Sequence, residues 1–425
     1  MTGALISILL LLGLLVLGVP MIVSLITAVA LNFALSGQWP LQLPQTMVAG
    51  MSTFTLIALP LFVLTGTIMN AGGISTRLFE FARALVGWMR GGLAQVNVLT
   101  SMFFGGMIGS STADLAGSGS ILIPAMKKEG YPAEVAAAVS ASSSGIGPLI
   151  PPSSPMILYS AVTGTSLGAL FLAGLIPGLL LGLVFMLLVA VLAFLFRWKR
   201  HGALSLADIW TSGRRSILAF GLPAIIVGGL VLGVFTPSEA GAFSVVYAIF
   251  LSCFVYRALR LRDLYRVFVN AVQLTGELLL IVSLSFALGS SLSSAHVPQA
   301  LAGLIDALVV TDSTYVRMLA LFCLAIVAGM FLDPLIPVLV PVILPTLVAF
   351  QIDLIHFGVL MVMAVVIGQL TPPLAIALII TSRIAGVDQM RILRANMPFF
   401  VIIILFSLCL MAMPGLATWL PSMMR

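Results

Sequence analysis

Four short segments concentrate the residue types that could do chemistry in an otherwise apolar chain. The first runs from Gly105 to Asp114 and holds Gly109, Ser110, Ser111 and Thr112. The glycines permit a chain reversal, and the hydroxyls can cap a returning helix or touch a ligand. Asp114 follows one turn later. It is either a ligand carboxylate or a first-turn partner of the helix dipole. The second segment, 142–153, carries Gly145, Gly147, Pro148, Pro151, Pro152 and Ser153. So many breakers exclude a continuous helix and predict an unwound stretch with exposed carbonyls.

The third segment, 329–337, contains Asp333 before Pro334. Its carboxylate suits either a ligand role or the N-cap of a returning helix. The fourth, 368–373, reads Gly368, Gln369, Leu370, Thr371, Pro372, Pro373. Backbone carbonyls, hydroxyls and single carboxylates are the donor set of a hard cation. No HExxH, P-loop or nucleophile elbow accompanies them, and the three histidines sit at span ends. No catalytic residue is assigned, and the chain reads as a non-enzyme. Cys253, Cys323 and Cys409 each stand alone in apolar runs, without pairing or metal spacing.

The elements that position these segments follow from composition. Of 425 residues, 61% are hydrophobic and 8% charged. So few charges cannot cover a water-facing surface, which excludes a soluble enzyme, a disulfide scaffold and a disordered chain. Continuous apolar runs point to an all-α polytopic membrane protein rather than a barrel. The basic residues lie in short loops, so they orient the chain rather than bind nucleic acid.

Full spans are expected over 3–34, 47–70, 168–196, 216–234, 239–256, 271–293 and 395–420. The spans 132–164 and 356–384 are broken near the middle, and 92–128 and 315–350 fold back as re-entrant hairpins. The leading run is read as a retained first span, too long for a signal peptide. With one crossing there, all bases but Arg317 and Arg425 fall on the side of Met1. The positive-inside rule then places the N-terminus in the cytoplasm and the C-terminus outside. Trp39, Trp88, Trp198, Trp210 and Trp419 fall at span ends, as an aromatic belt requires.

The unusual blocks repeat. Pro372-Pro373 follows Pro151-Pro152 by 221 residues, and Asp333 follows Thr112 by the same interval. The units are a first span (1–46), repeat one (47–196), cytoplasmic loops and two linking spans (197–270), and repeat two (271–425). An odd number of crossings separates the repeats, so their topologies are inverted. Inverted repeats with broken helices are the architecture of alternating-access secondary transporters. Two further acids stand apart. Glu239 follows Thr236-Pro237-Ser238 as a first-turn acid. Glu277, inside a span, pairs with a base or faces a partner subunit.

The stretch 104–178, with GSSTAD, IPAMKKEGYP, ASSSGIGPLIPPSSPMILY and AGLIPG, resembles the large membrane subunit of TRAP transporters. GVFTPSEAGAF (233–243), GMFLDP (329–334) and IGQLTPP (367–373) resemble the family's later motifs, in the same order. The resemblance covers essentially the whole chain. It implies an elevator-type permease of the bacterial inner membrane, working with a separate small four-span subunit and a periplasmic binding protein. It implies sodium-driven import of a carboxylate-bearing solute, an organic acid or acidic sugar, with no organic cofactor.

Carried over from the resemblance, one sodium site involves Ser110, Ser111, Gly145 and Gly147, and a second Asp333, Gly368 and Thr371. Asp114 and Gln369 are further candidates. Thr112, Pro151, Pro152, Ser153, Pro372 and Pro373 would flank the substrate carboxylate. Outside loops near 165, 236, 296–315 and 353 are the candidate docking places for the soluble partner. The competing reading is a stand-alone sodium- or proton-coupled dicarboxylate or tricarboxylate carrier. A proton-translocating subunit is disfavoured because no lysine lies at mid-span, and a channel because the hairpins do not form a ring.

Overall fold

The computed structural model describes residues 2–36, 42–198, 200, 203–308 and 313–423. Trp39, Lys199, His201 and Arg425 lie outside the described residues. Apart from one isolated bridge between Arg90 and Arg200, the described residues contain no strand pairing. The fold is all-helical, as the continuous apolar runs require. Five helical stretches are long and apolar enough to cross a bilayer: Phe54–Ala71, Leu167–Leu195, Pro237–Val255, Leu261–Ser294 and Gln389–Ala412. They correspond to five of the expected full spans. The last of these stops at Ala412, and a separate short helix, Gly415–Ser422, follows Pro414.

Two expected spans are not single helices. The run 3–34 divides into Thr2–Val16 and Met21–Ser36. Gly18 takes a left-handed φ of 79°. The Gly18 N–H bonds to the Leu15 carbonyl and the Val19 N–H to the Leu14 carbonyl, both at 3.0 Å. This is the paired-bond helix stop that glycine permits, and Pro20 just beyond it cannot continue the first helix. The chain then turns back on itself. A Cβ at Gly3 would lie 3.2 Å from the Leu35 Cβ. The first segment is therefore an apolar helical hairpin whose two ends lie together, not one crossing. The expected span 216–234 covers only the apolar arm, Gly221–Val231, of a bent pair whose other arm, Leu206–Ser216, meets it at 51°. Pro223 and a π turn over Ala224–Gly228 interrupt the apolar arm.

The two segments expected to reverse do so at their glycine-rich or proline-rich centres. Gly92–Ile108 turns at Gly109 and Ser110, then returns through Ser111–Asp114, a π turn at Leu115–Gly119 and Ser120–Lys128. The turn thus lies just before Thr112. Thr314–Gly329 turns at 330–334 and returns as Leu335–Ala349. The broken helices are Ala133–Ser144 with Ser154–Thr163, and Leu354–Gln369 with Ile376–Ala385.

Side-chain contacts assign the chain to two faces. On one, Ser216 Oγ donates to the Arg77 carbonyl at 3.0 Å, and Tyr256 Oη donates to that of Arg215 at 3.2 Å. The Arg77 guanidinium lies 3.8 Å from the Tyr256 ring centroid, and Lys127 Nζ donates to the Ala385 carbonyl at 2.7 Å. The first hairpin begins and ends on this basic face. The second hairpin is based on the other face. There Arg317 pairs with Asp306 at 3.0 Å and stacks on Phe350 at 4.9 Å. Thr346 Oγ1 donates to the Pro298 carbonyl at 3.1 Å nearby. Ser291 Oγ donates to Asn32 Oδ1 near the end of Leu264–Ser294 that is remote from the basic face. Thr2 lies beside Ser36 and so also belongs to the face away from the bases. The placement of the chain start with the basic residues, which rested on a single crossing, is corrected accordingly.

This geometry predicts a labelling pattern. After replacing the three native cysteines by alanine, Thr2→Cys reacts with an impermeant thiol reagent from the side opposite to Arg214→Cys. Labelling of both from one side would restore the single first crossing.

Candidate functional site

Each hairpin tip seats on the break of the helix that follows it. At the first, the Ser154 N–H donates to the Gly109 carbonyl at 3.3 Å. Gly109 has φ 59°, and a Cβ there would fall on the Pro152 carbonyl. One turn before, a Cβ at Gly105 would come within 3.0 Å of the Gly147 Cα. Only residues without side chains let these two backbones touch. Pro148, Pro151 and Pro152 contribute no N–H, so the regular helical pairing ends here; the Gly147 carbonyl accepts instead from the Ile150 N–H at 3.2 Å in a tighter turn. The Pro151-Pro152 peptide bond is cis, as are Asp333-Pro334 and Pro372-Pro373.

The hydroxyls divide by role. Ser110 caps the returning helix, accepting from the Ala113 N–H at 3.5 Å, and lies 3.1 Å from Thr112 Oγ1. Ser153 caps Ser154–Thr163, accepting from the Met156 N–H at 3.3 Å and donating to the Pro148 carbonyl. Ser111 Oγ is buried and finds no hydrogen-bond partner. Asp114 is 2% exposed. One of its carboxylate oxygens accepts from Ser118 Oγ at 2.6 Å, while Oδ2 is buried with no partner. Buried oxygens left without donors are costly unless something binds them.

The second tip repeats the device. Gly329 and Gly368 cross so closely that a Cβ on Gly368 would overlap the Gly329 backbone. The prolines 372 and 373 withdraw donors from the turn below. Thr371 folds its hydroxyl back onto the Ile367 carbonyl at 2.6 Å. Asp333 does not cap the returning helix, whose N-cap is Pro334 without a side-chain bond. Its carboxylate instead accepts from Gln369 Nε2 at 3.5 Å, the outer limit of a hydrogen bond. Pro372 and Thr371 are half-buried and Pro373 is exposed. The break ends at Ala375, a buried non-glycine residue at φ 43°. Such backbone persists only where its surroundings hold it.

The sequence-predicted residues therefore form two clusters. Ser110, Ser111, Thr112, Asp114, Gly145, Gly147, Pro151, Pro152 and Ser153 share the first. Asp333, Gly368, Gln369, Thr371, Pro372 and Pro373 share the second. The clusters adjoin where a Cβ on Gly145 would strike the Val366 side chain. Glu239 is part of a capping box with Thr236, whose N–H donates to Glu239 Oε2 at 2.7 Å. Its placement is local, as the sequence reading held.

Sequence reasoning missed a buried polar network beneath the first tip. Asn97 Nδ2 donates to Ser140 Oγ at 2.6 Å, and Ser143 Oγ donates to Asn97 Oδ1 at 3.0 Å. Ser101 Oγ donates to Ser143 Oγ at 3.3 Å. Ser142 Oγ donates to Asn396 Oδ1, tying the first break to the last long helix. These side chains are all at most 2% exposed. The amide of Asn97 is paired at both its nitrogen and its oxygen, while Asn396 Nδ2 is left without a partner. In a low-dielectric interior the satisfied part fixes one packing arrangement. Asn97, inside the apolar first arm of the hairpin, was the available signal; Asn396, two residues after Arg394 at a span end, gave none.

Residues 8–416 match the family model described as "Tripartite ATP-independent periplasmic transporter, DctM component". The chain belongs to this family. It is 36% identical over 420 residues to the sialic acid TRAP transporter large permease protein SiaM of Vibrio cholerae, covering 97% of both chains. It is 36% identical over 371 residues to the C4-dicarboxylate large permease protein DctM of Pseudomonas aeruginosa, covering 87% of this chain and 86% of that one. The 2,3-diketo-L-gulonate large permease protein YiaN of Escherichia coli is 35% identical over 366 residues, with coverages of 86% and 85%. Among solved structures, the YdaH transporter of Alcanivorax borkumensis superposes with a TM-score of 0.54 at 17% identity, over 87% of each chain. That likeness concerns the fold alone. Membership of the family makes the chain a membrane permease component of a tripartite system.

The glycine contacts give a differential prediction. Gly109 and Gly164 both have positive φ, but a Cβ at Gly164 would meet open space. Gly164→Ala should cost about 1 kcal/mol of conformational strain. Gly109→Ala adds the clash with Pro152 and should cost about 3 kcal/mol or more. Comparing thermal unfolding of the two purified variants checks this, and equal shifts would contradict the close seating of the tip.

Proposed function

We propose that the chain is the large permease subunit of a sodium-coupled importer of carboxylate-bearing solutes. A soluble binding protein delivers the solute from the far side of the membrane. A small membrane subunit completes the permease. The observation that carries this reading is the pairing of each hairpin tip with a broken helix through glycine contacts. Those junctions gather hydroxyls, proline-freed carbonyls and one carboxylate apiece, which suits a dehydrated monovalent cation. Ser110, Ser111, Gly145 and Gly147 would hold one sodium ion, and Asp333, Gly368 and Thr371 the other. Thr112, Ser153 and the two proline pairs would flank the solute carboxylate.

The hairpins and broken helices would move together as the transport unit against the long crossing helices, as in an elevator. The basic face would be cytoplasmic by the positive-inside rule. The described chain start and the Gly415–Ser422 helix would then lie toward the periplasm. The solutes for which the relatives are named, C4-dicarboxylate, sialic acid and 2,3-diketo-L-gulonate, all carry carboxylates, which supports that solute class.

Reconstitution with the small subunit and a binding protein tests the reading. An inward sodium gradient should drive uptake of a dicarboxylate or an acidic sugar, while potassium or choline should not. Asp333→Asn should raise the half-saturating sodium concentration by about 10-fold, a loss of about 1.4 kcal/mol. Unchanged sodium dependence in that variant would remove Asp333 from the site. Full uptake without any binding protein would favour a stand-alone carrier.

A further inference from the structure

Glu277 stands near the middle of the 31-residue helix Leu264–Ser294, the longest helix of the fold. It is exposed. Among the described residues it has no hydrogen bond or ion pair. Its neighbours on the same helix face are Asn270 and Gln273, three and four residues apart along the chain, and both are exposed. Residues at this spacing form one stripe down a helix. Around the stripe lie Val269, Val272, Leu274 and Leu280, apolar and exposed. The opposite side of the helix is buried at Ala271, Thr275 and Val282. A carboxylate on a lipid-facing stripe at mid-helix is expensive and is retained only with a partner.

The chain cannot supply that partner by pairing with itself. Its described bases gather at the two faces, at the ends of helices and in the loops between them. A twofold contact through this stripe would set Glu277 against Glu277, which is repulsive. We infer that the Asn270–Gln273–Glu277 face seats a transmembrane helix of a different chain that carries a lysine or arginine at membrane depth. Resting on the tripartite reading above, that chain is the small membrane subunit. Its base neutralises Glu277, and its polar side chains meet Asn270 and Gln273. The surrounding aliphatic residues give the contact its packing surface. One desolvated charge pair in an apolar setting fixes the register of the two chains as well as their identity.

The test uses the full chain co-expressed with its small four-span subunit and purified in detergent. A photo-crosslinking residue at Gln273 should capture the small subunit. The same residue at Leu187, 66% exposed on Leu167–Leu195, should not. Glu277→Lys should lower the recovered small subunit at least 10-fold, and Glu277→Gln by less. The crosslinking arm is read without altering Glu277, so a misfolded Lys variant does not decide the matter. Capture at Leu187 instead of Gln273, capture of a second copy of this chain at Gln273, or undiminished recovery with Glu277→Lys would each overturn the inference. Capture at Gln273 in a pair that moves no solute would uphold it while sinking the transport reading. Solute uptake by a permease that never associates with the small subunit would sink the inference and the small-subunit part of that reading, leaving solute import standing.

Discussion

Everything in this fold answers to one constraint: a backbone N–H or C=O at membrane depth must find a partner. A continuous helix meets it internally, and the five long crossing helices do so. The two hairpins and two broken helices do not. Instead one interrupted backbone packs directly against another, with the Ser154 N–H donating to the Gly109 carbonyl at the first junction. Gly105 lies on Gly147, and Gly329 lies on Gly368. The prolines that break the helices also withdraw the N–H groups that regular helical pairing would supply. The site and the interruption are thus the same physical object.

The surroundings hold that object in place. Beneath the first tip, Asn97, Ser101, Ser140 and Ser143 close a buried hydrogen-bonded cluster, and Ser142 reaches Asn396 on another helix. Lys127 crosses to the Ala385 carbonyl. Each link joins the first half of the chain to the second, or a hairpin to a break. The Asn97, Ser101 and Lys127 links pack the first hairpin against the broken helices, while Ser142 binds a broken helix to the long crossing helix Gln389–Ala412. By contrast Ser111 Oγ and Asp114 Oδ2 remain without partners. Around Asn97 the support is paired through Ser101, Ser140 and Ser143, whereas these two oxygens at the tip are open.

Most of the fold was legible because glycine and proline punctuate apolar sequence at short range. The reversal at Gly109 and the breaks at 145–153 and 370–375 follow from backbone chemistry that needs no tertiary information. One boundary was lost for the opposite reason. The stop at Gly18 is one glycine and one proline inside an otherwise uniform apolar run, and hydropathy averages over it. The bend before Gly221 was lost for another reason: the polar arm Leu206–Ser216 lies outside the apolar run, so only the second arm was read as a span. The asparagine network was illegible because its partners are distant in sequence: Asn97 and Ser140, Ser142 and Asn396. The role of Asp333 was only half legible. Its proline neighbour suggested a cap, but the returning helix begins after Pro334, and the carboxylate turns to Gln369 instead.

The hairpin formed by Thr2–Val16 and Met21–Ser36 has a consequence for how such a chain can change over evolutionary time. A segment that returns to the face it left can be lengthened, shortened or deleted without turning the rest of the molecule over. Its loss would remove packing around Asn32 and Ser291 but leave every later helix with its direction. A single crossing in the same place would have no such freedom, because deleting it would reverse the charge bias of all the loops that follow. Residues 2–36 can therefore vary in length without reversing any helix that follows, although Leu25, Ala28 and Phe33 tie them into the core.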